Sequence, residues 1–242
     1  MNLELIKKEF DNYVKSYDMS NYDINYKYRH SYRVYKLCEK ISKDLNLNTE
    51  DILLCSVIGL LHDIGRFEQL KEFSSYKDTN LDHADFGVKL LFEESLIDKF
   101  NIDSKYYDII EFAIRNHNKY EIEKTNDNRN LMFAKVLRDA DKIDIIKASV
   151  VYDDYNISEC NNDISKEIEK SFFRNEQIKV NYIKNENDET ILLLAFLFDI
   201  NYSASLKIIR EEELVDKFYF KIKNKELFKP YVKHMKEYIK ER

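Results

Sequence analysis

The chain has 242 residues but only three glycines and one proline, Pro230. Folds made of many short strands need tight turns, and tight turns need these two residue types. A chain so poor in breakers favours long helices, and the reading is all-α. The length fits one large domain or two small ones, with a core that needs no disulfide or structural metal. Cys38, Cys55 and Cys160 are widely spaced, which fits reduced thiols and neither a disulfide frame nor a cysteine-zinc site.

Charge narrows the partners. Asp and Glu total 45 against 39 Lys and Arg, and no long basic block appears. That balance argues against nucleic acid as a partner. The most apolar later stretch, ILLLAFLFDI at 191–200, is too short to span a bilayer and carries Asp199. The opening segment is amphipathic and carries Glu4, Glu9 and Asp11, unlike a leader peptide. The expectation is a cytoplasmic protein with no membrane partner.

Apolar spacing predicts helices over about 1–17, 28–45, 50–64, 83–95 and 104–117, then a long one through LMFAKVLRDADKIDIIKASVVYDDY, 131–155. Asn48 or Thr49 should cap the third and Gly65 should end it. Residues 160–242 read as three or four further helices, a C-terminal extension within a single domain, 1–242. Such an apolar extension is expected to pack on the rest and help shape a pocket.

Four inward-facing stripes carry a residue that does not belong in a core. His30 shares a face with Val34, Leu37, Cys38 and Ile41. His83 leads Gly87, Leu90 and Leu91, and His117 closes the stripe of Tyr106, Ile110, Ala113 and Ile114. Asp141 interrupts Ala134, Leu137, Ile145 and Ala148, and His62–Asp63 ends the apolar run before Gly65. One buried histidine is commonly satisfied by a carbonyl, and one buried aspartate by a cation. So many together are better explained by a metal, because imidazole and carboxylate converging from several helices are its usual ligands.

His30, then His62–Asp63, then Asp141 resembles the H…HD…D signature of the HD superfamily of metal-dependent phosphohydrolases. The resemblance covers about residues 26–150, and LLHDIGR and LRDADKIDII are its most specific pieces. It implies an HD-domain helical bundle with the metal between helices. The order H…HD…H…H…D is similar to the dinuclear branch. That likeness implies one metal on His30, His62, Asp63 and Asp141, with Asp63 bridging to a second on His83 and His117. Asn118 stands where some dinuclear members have a further histidine.

The implied cofactors are two divalent cations, Mn²⁺ or Fe²⁺ ahead of Co²⁺, Ni²⁺, Zn²⁺ or Mg²⁺. The implied reaction is hydrolysis of a nucleotide or other small phosphoester by a metal-bound hydroxide. Arg66 and Lys142 are candidates to hold the substrate's phosphate beside Asp63. The same ligand set also resembles HD-fold di-iron oxygenases. A non-catalytic nucleotide-sensing module is the third alternative, and its usual broken motif is absent.

Overall fold

The computed structural model describes residues 1–76, 78 and 81–242. Among the described residues all regular structure is helical. The chain divides into two compact units, Met1–Asp141 and Lys142–Arg242.

The first unit opens with α1 (Leu3–Val14), α2 (Tyr22–Asp44), α3 (Thr49–Leu61) and α4 (Ile64–Phe73). After a loop come α5 (His83–Val88), a π-helical turn (Lys89–Glu93), and α6 (Tyr107–Asn116). Helix α7 (Asn128–Val150) crosses the boundary between the units. Short polar side chains start several helices. Asn2, Asn21, Asn48 and Asp82 each accept a backbone N–H of the first turn of α1, α2, α3 and α5. Each such cap contributes about 1 kcal/mol. Asn48 is one of the two residues that the sequence offered as the cap of α3.

Helix α2 packs along α3, α4 against α5, and α5 against α6. The core between them is aliphatic: Val34, Cys38, Ile41, Leu54, Ile58, Leu61, Ile110 and Ile114 are all fully buried or nearly so. Burying each large side chain is worth roughly 1.5–3 kcal/mol, and that sum outweighs the local preferences of single residues.

The predicted helix 50–64 is two helices. Helix α3 stops at Leu61, and His62 and Asp63 form the joint before α4 begins at Ile64. Gly65 therefore does not terminate a helix; it lies in the first turn of the next. Its role is clearance. A Cβ on Gly65 would stand 2.2 Å from the carbonyl oxygen of His83, and one on Gly87 would stand 3.3 Å from the Gly65 nitrogen. A Cβ on Gly59 would meet the Cys38 sulfur at 2.8 Å, where α3 crosses α2.

The second unit holds the end of α7 and then α8 (Lys166–Phe172), α9 (Glu186–Ala195), α10 (Ser203–Glu211), α11 (Leu214–Lys221) and α12 (Lys225–Glu241). Residues 160–242 thus carry five α-helices, more than the spacing suggested, because short 3₁₀ and loop breaks subdivide the apolar stretches. Phe172, Ile191, Leu197, Ile208, Phe218 and Met235 centre its core. His234 is half-buried. Its ring lies 5.1 Å from that of Phe173, and its Nε2 is 2.7 Å from Asn175 Oδ1. Among the described residues no helix is long and apolar enough to cross a membrane.

Candidate metal centre

Six residues from five places along the chain meet in the first unit. His30 comes from the middle of α2, His62 and Asp63 from the α3–α4 joint, and His83 from the start of α5. His117 follows the end of α6, and Asp141 lies in α7. Gly59 and Gly65 make this meeting feasible, since they let α2 approach α3 and α4 approach α5 at backbone distance. His30, His62, Asp63, His83 and His117 are at most 2% exposed, and Asp141 is 9% exposed.

The donors fall into two sets that share Asp63. On one side His30 Nε2 is 3.2 Å from His62 Nε2 and 3.1 Å from Asp141 Oδ1. His62 Nε2 is 3.6 Å from the same Asp141 oxygen, and Asp63 Oδ2 lies 3.4 Å from both imidazole nitrogens. On the other side His83 Nε2 and His117 Nε2 are 2.9 Å apart. Asp63 Oδ1 stands 3.4 Å from the first and 3.6 Å from the second. Ligands at about 2.0–2.2 Å from one cation lie about 2.9–3.6 Å from each other, so both sets have the bite of a metal site.

Hydrogen bonding fixes which nitrogen is free. His62 Nδ1 is 2.8 Å from the Gly59 carbonyl oxygen, and His117 Nδ1 is 2.6 Å from that of Ile114. His83 Nδ1 is 2.8 Å from Asp78 Oδ1. A carbonyl or carboxylate accepts only, so each Nδ1 carries a hydrogen, and in the neutral ring Nε2 is the nitrogen that presents a lone pair. His83 and His117 then point lone pairs at each other. Only a shared proton or a cation makes that contact favourable, and the donor set fits a divalent cation.

Electrostatics agree. Burial, with Arg66 and His117 nearby, pushes the His83 imidazole down to about 4 despite Asp78, so it is neutral near pH 7. For His62 burial opposes charge, but Asp63 and Asp141 outweigh it and raise its pKa. Burial works against the Asp63 carboxylate too, yet Lys27 and His62 hold its pKa well below the ordinary range. Asp141 is held low against burial by His30 and His62. The pocket attracts positive charge.

Three supporting residues escaped the sequence reading. Lys27 is 8% exposed and its Nζ lies 2.6 Å from Asp63 Oδ2. It sits one turn before His30 on the same inward stripe, a position where a lysine is a detectable anomaly. Asp78, which holds His83, comes from a polar loop and gave no periodic signal. Arg138 is 1% exposed, and its Nη1 donates to the carbonyls of Asn116 and Lys119, bracing the chain around His117.

The two predicted phosphate binders are already engaged. Arg66 Nη1 donates to Gln69 Oε1 at 2.5 Å, to the Tyr76 carbonyl at 2.9 Å and to Asp78 Oδ1 at 3.0 Å. Its Nε is buried without a hydrogen bond, 3.8 Å from Asp63 Oδ1. Lys142 belongs to the second unit, where its Nζ lies 2.8 Å from Asp199 Oδ2. Of the tyrosines near His30, Tyr26 stacks on its ring at 5.9 Å, whereas Tyr28 and Tyr32 donate to Asp11.

Residues 28–146 match the family model of the HD domain. Comparisons with curated proteins and with solved structures gave no match. The matched span contains all six residues of the cluster, in the order that the HD signature requires. The chain belongs to the HD superfamily, whose members are typically metal-dependent hydrolases.

Proposed function

We propose that the protein is a dinuclear metal-dependent phosphohydrolase acting on a nucleotide or other small phosphoester. One observation carries the dinuclear reading. Asp63 turns Oδ2 toward His30 and His62, and Oδ1 toward His83 and His117. A carboxylate that divides its oxygens between two imidazole pairs has the arrangement of a bridge.

In this reading His30, His62 and Asp141 hold one cation, His83 and His117 the other, and Asp63 both. A bound pair of divalent cations supplies Lewis-acid polarisation of a phosphoryl oxygen and acidifies water. The chain's own part is orientation. The Gly59 and Ile114 carbonyls and the Asp78 carboxylate fix three imidazole rings, so the donors need little rearrangement. The dry walls keep competing water out and strengthen local fields. Arg66 ties Asp78 to α4, so we assign it to holding the His83 support in place.

The HD-fold oxygenase reading uses the same ligands, so reactivity must decide. Metal analysis of protein purified without chelator, followed by an anaerobic phosphoester screen with Mn²⁺, Fe²⁺, Co²⁺, Ni²⁺ and Mg²⁺, tests the proposal. Turnover without O₂ is the expected result. Product formation that consumes O₂ and requires iron would replace hydrolase with oxygenase.

A further inference from the structure

Lys27 occupies a place that the proposed function gives to a cation. Its ammonium lies 2.6 Å from Asp63 Oδ2, the oxygen that also stands 3.4 Å from His30 Nε2 and His62 Nε2. A buried carboxylate needs a counter-charge, and the Lys27 ammonium provides one. A divalent cation on the same oxygen would supply that charge and repel the ammonium. The neighbourhood offers a second seat. Lys27 Nζ lies 5.7 Å from the centroid of Tyr26 and 5.5 Å from that of Tyr76, and Tyr76 is 38% exposed. Two aromatic faces can retain a lysine that has left its carboxylate.

We propose that Lys27 is a displaceable counter-ion: it neutralises Asp63 in the metal-free protein, and metal binding releases it toward the Tyr26–Tyr76 side, where it binds a phosphoryl oxygen of the substrate. The displacement rests on the ion pair; the destination rests on the phosphohydrolase reading. Lys27 would then couple loading of the metals to readiness for an anion. Until the cations arrive, the anion-binding charge is withheld.

The test compares the full-length wild type and Lys27→Met, each metal-free after chelation and each saturated with Mn²⁺. Metal-free Lys27→Met should melt at a lower temperature than wild type, because Asp63 loses its partner, and the deficit should vanish or invert with Mn²⁺. Mn²⁺ should bind the variant tighter by roughly tenfold or more in calorimetry, since no ammonium has to be displaced. Inorganic phosphate should bind the Mn²⁺-loaded variant about tenfold more weakly than loaded wild type, the worth of one charge-assisted hydrogen bond.

A melting deficit that is the same with and without Mn²⁺, together with unchanged Mn²⁺ affinity, would overturn the displacement. Unchanged phosphate affinity would overturn the destination. Wild type that binds no phosphate when loaded, while the melting cycle behaves as expected, would remove the phosphohydrolase reading and leave the displacement standing. A variant that folds only with Mn²⁺ supports the proposal. If Lys27→Met folds under neither condition, Lys27→Gln, which keeps a hydrogen-bond donor but no charge, is read by the same criteria.

Discussion

Asp63 in the first unit and Asp188 in the second are both buried carboxylates, and their surroundings differ in kind. Asp188 is met by donors. Its Oδ1 accepts the Ser165 N–H at 2.8 Å, and its Oδ2 accepts the Ser165 hydroxyl at 2.7 Å and the Lys184 N–H at 2.9 Å. The adjacent Asn187 is equally occupied, taking the Cys160 N–H and giving its own hydrogens to the Cys160 and Asn162 carbonyls. Nothing about this network asks for a ligand; it ties the 160–165 segment to the start of α9. Asp63 is met instead by four imidazole nitrogens, at least three of which present lone pairs, and by one lysine. Burial alone does not mark a site. What marks it is a buried acceptor facing other acceptors.

The contrast can be broken by mutation. The largest effect is expected for Asp63→Ala, which removes an oxygen from both donor sets: metal content by elemental analysis and phosphoester turnover should fall together to background. Full metal content in that variant would end the metal reading of the joint. Next come His83→Ala and His117→Ala. Each should lower the stoichiometry from about two cations to about one, the count of a two-metal site, while the His30 side stays loaded. Two variants that keep the wild-type count would reduce these histidines to core packing.

A smaller effect is expected for Asp78→Ala, which frees the His83 ring without touching a donor atom. Loss of such outer support costs roughly 10–100-fold in metal affinity, measurable by calorimetric titration. Asp188→Ala completes the series. It should destabilise the protein by on the order of 3 kcal/mol in denaturant melts, since buried N–H and O–H groups lose their acceptor. Its metal stoichiometry should equal that of wild type. A change in metal content there would mean that the two carboxylates are less separate than their neighbours suggest.

How much of this could be read beforehand depended on periodicity. His30, His83, His117 and Asp141 stand out because each breaks an apolar stripe, and a stripe is legible in sequence. The all-α class followed from the shortage of turn formers. The joint at His62–Asp63 was not legible: Leu60, Leu61 and Ile64 continue one apolar run, and only tertiary packing reveals that the helix stops between them. Asp78 was hidden for a different reason. It acts from an aperiodic loop, and its partner His83 is set by the α4–α5 approach, not by spacing. Arg66 was read as a free anion binder because a sequence does not display the acceptors that already hold a guanidinium.

The three glycines now have a meaning beyond their scarcity. All of them, Gly59, Gly65 and Gly87, sit where two backbones nearly touch around the histidine cluster. The chain keeps its few missing side chains for the contacts that set the spacing of the clustered histidine and aspartate donors. In mechanical terms they are clearances, and the tolerance is tight: a methyl group at 65 would have to fit 2.2 Å from a backbone oxygen of the very residue that supplies the His83 imidazole. An alanine there adds no charge and removes no ligand, yet it would act as a wedge between α4 and α5. The spacing of the clustered donors is thus partly a matter of gauge, set by atoms that are not there.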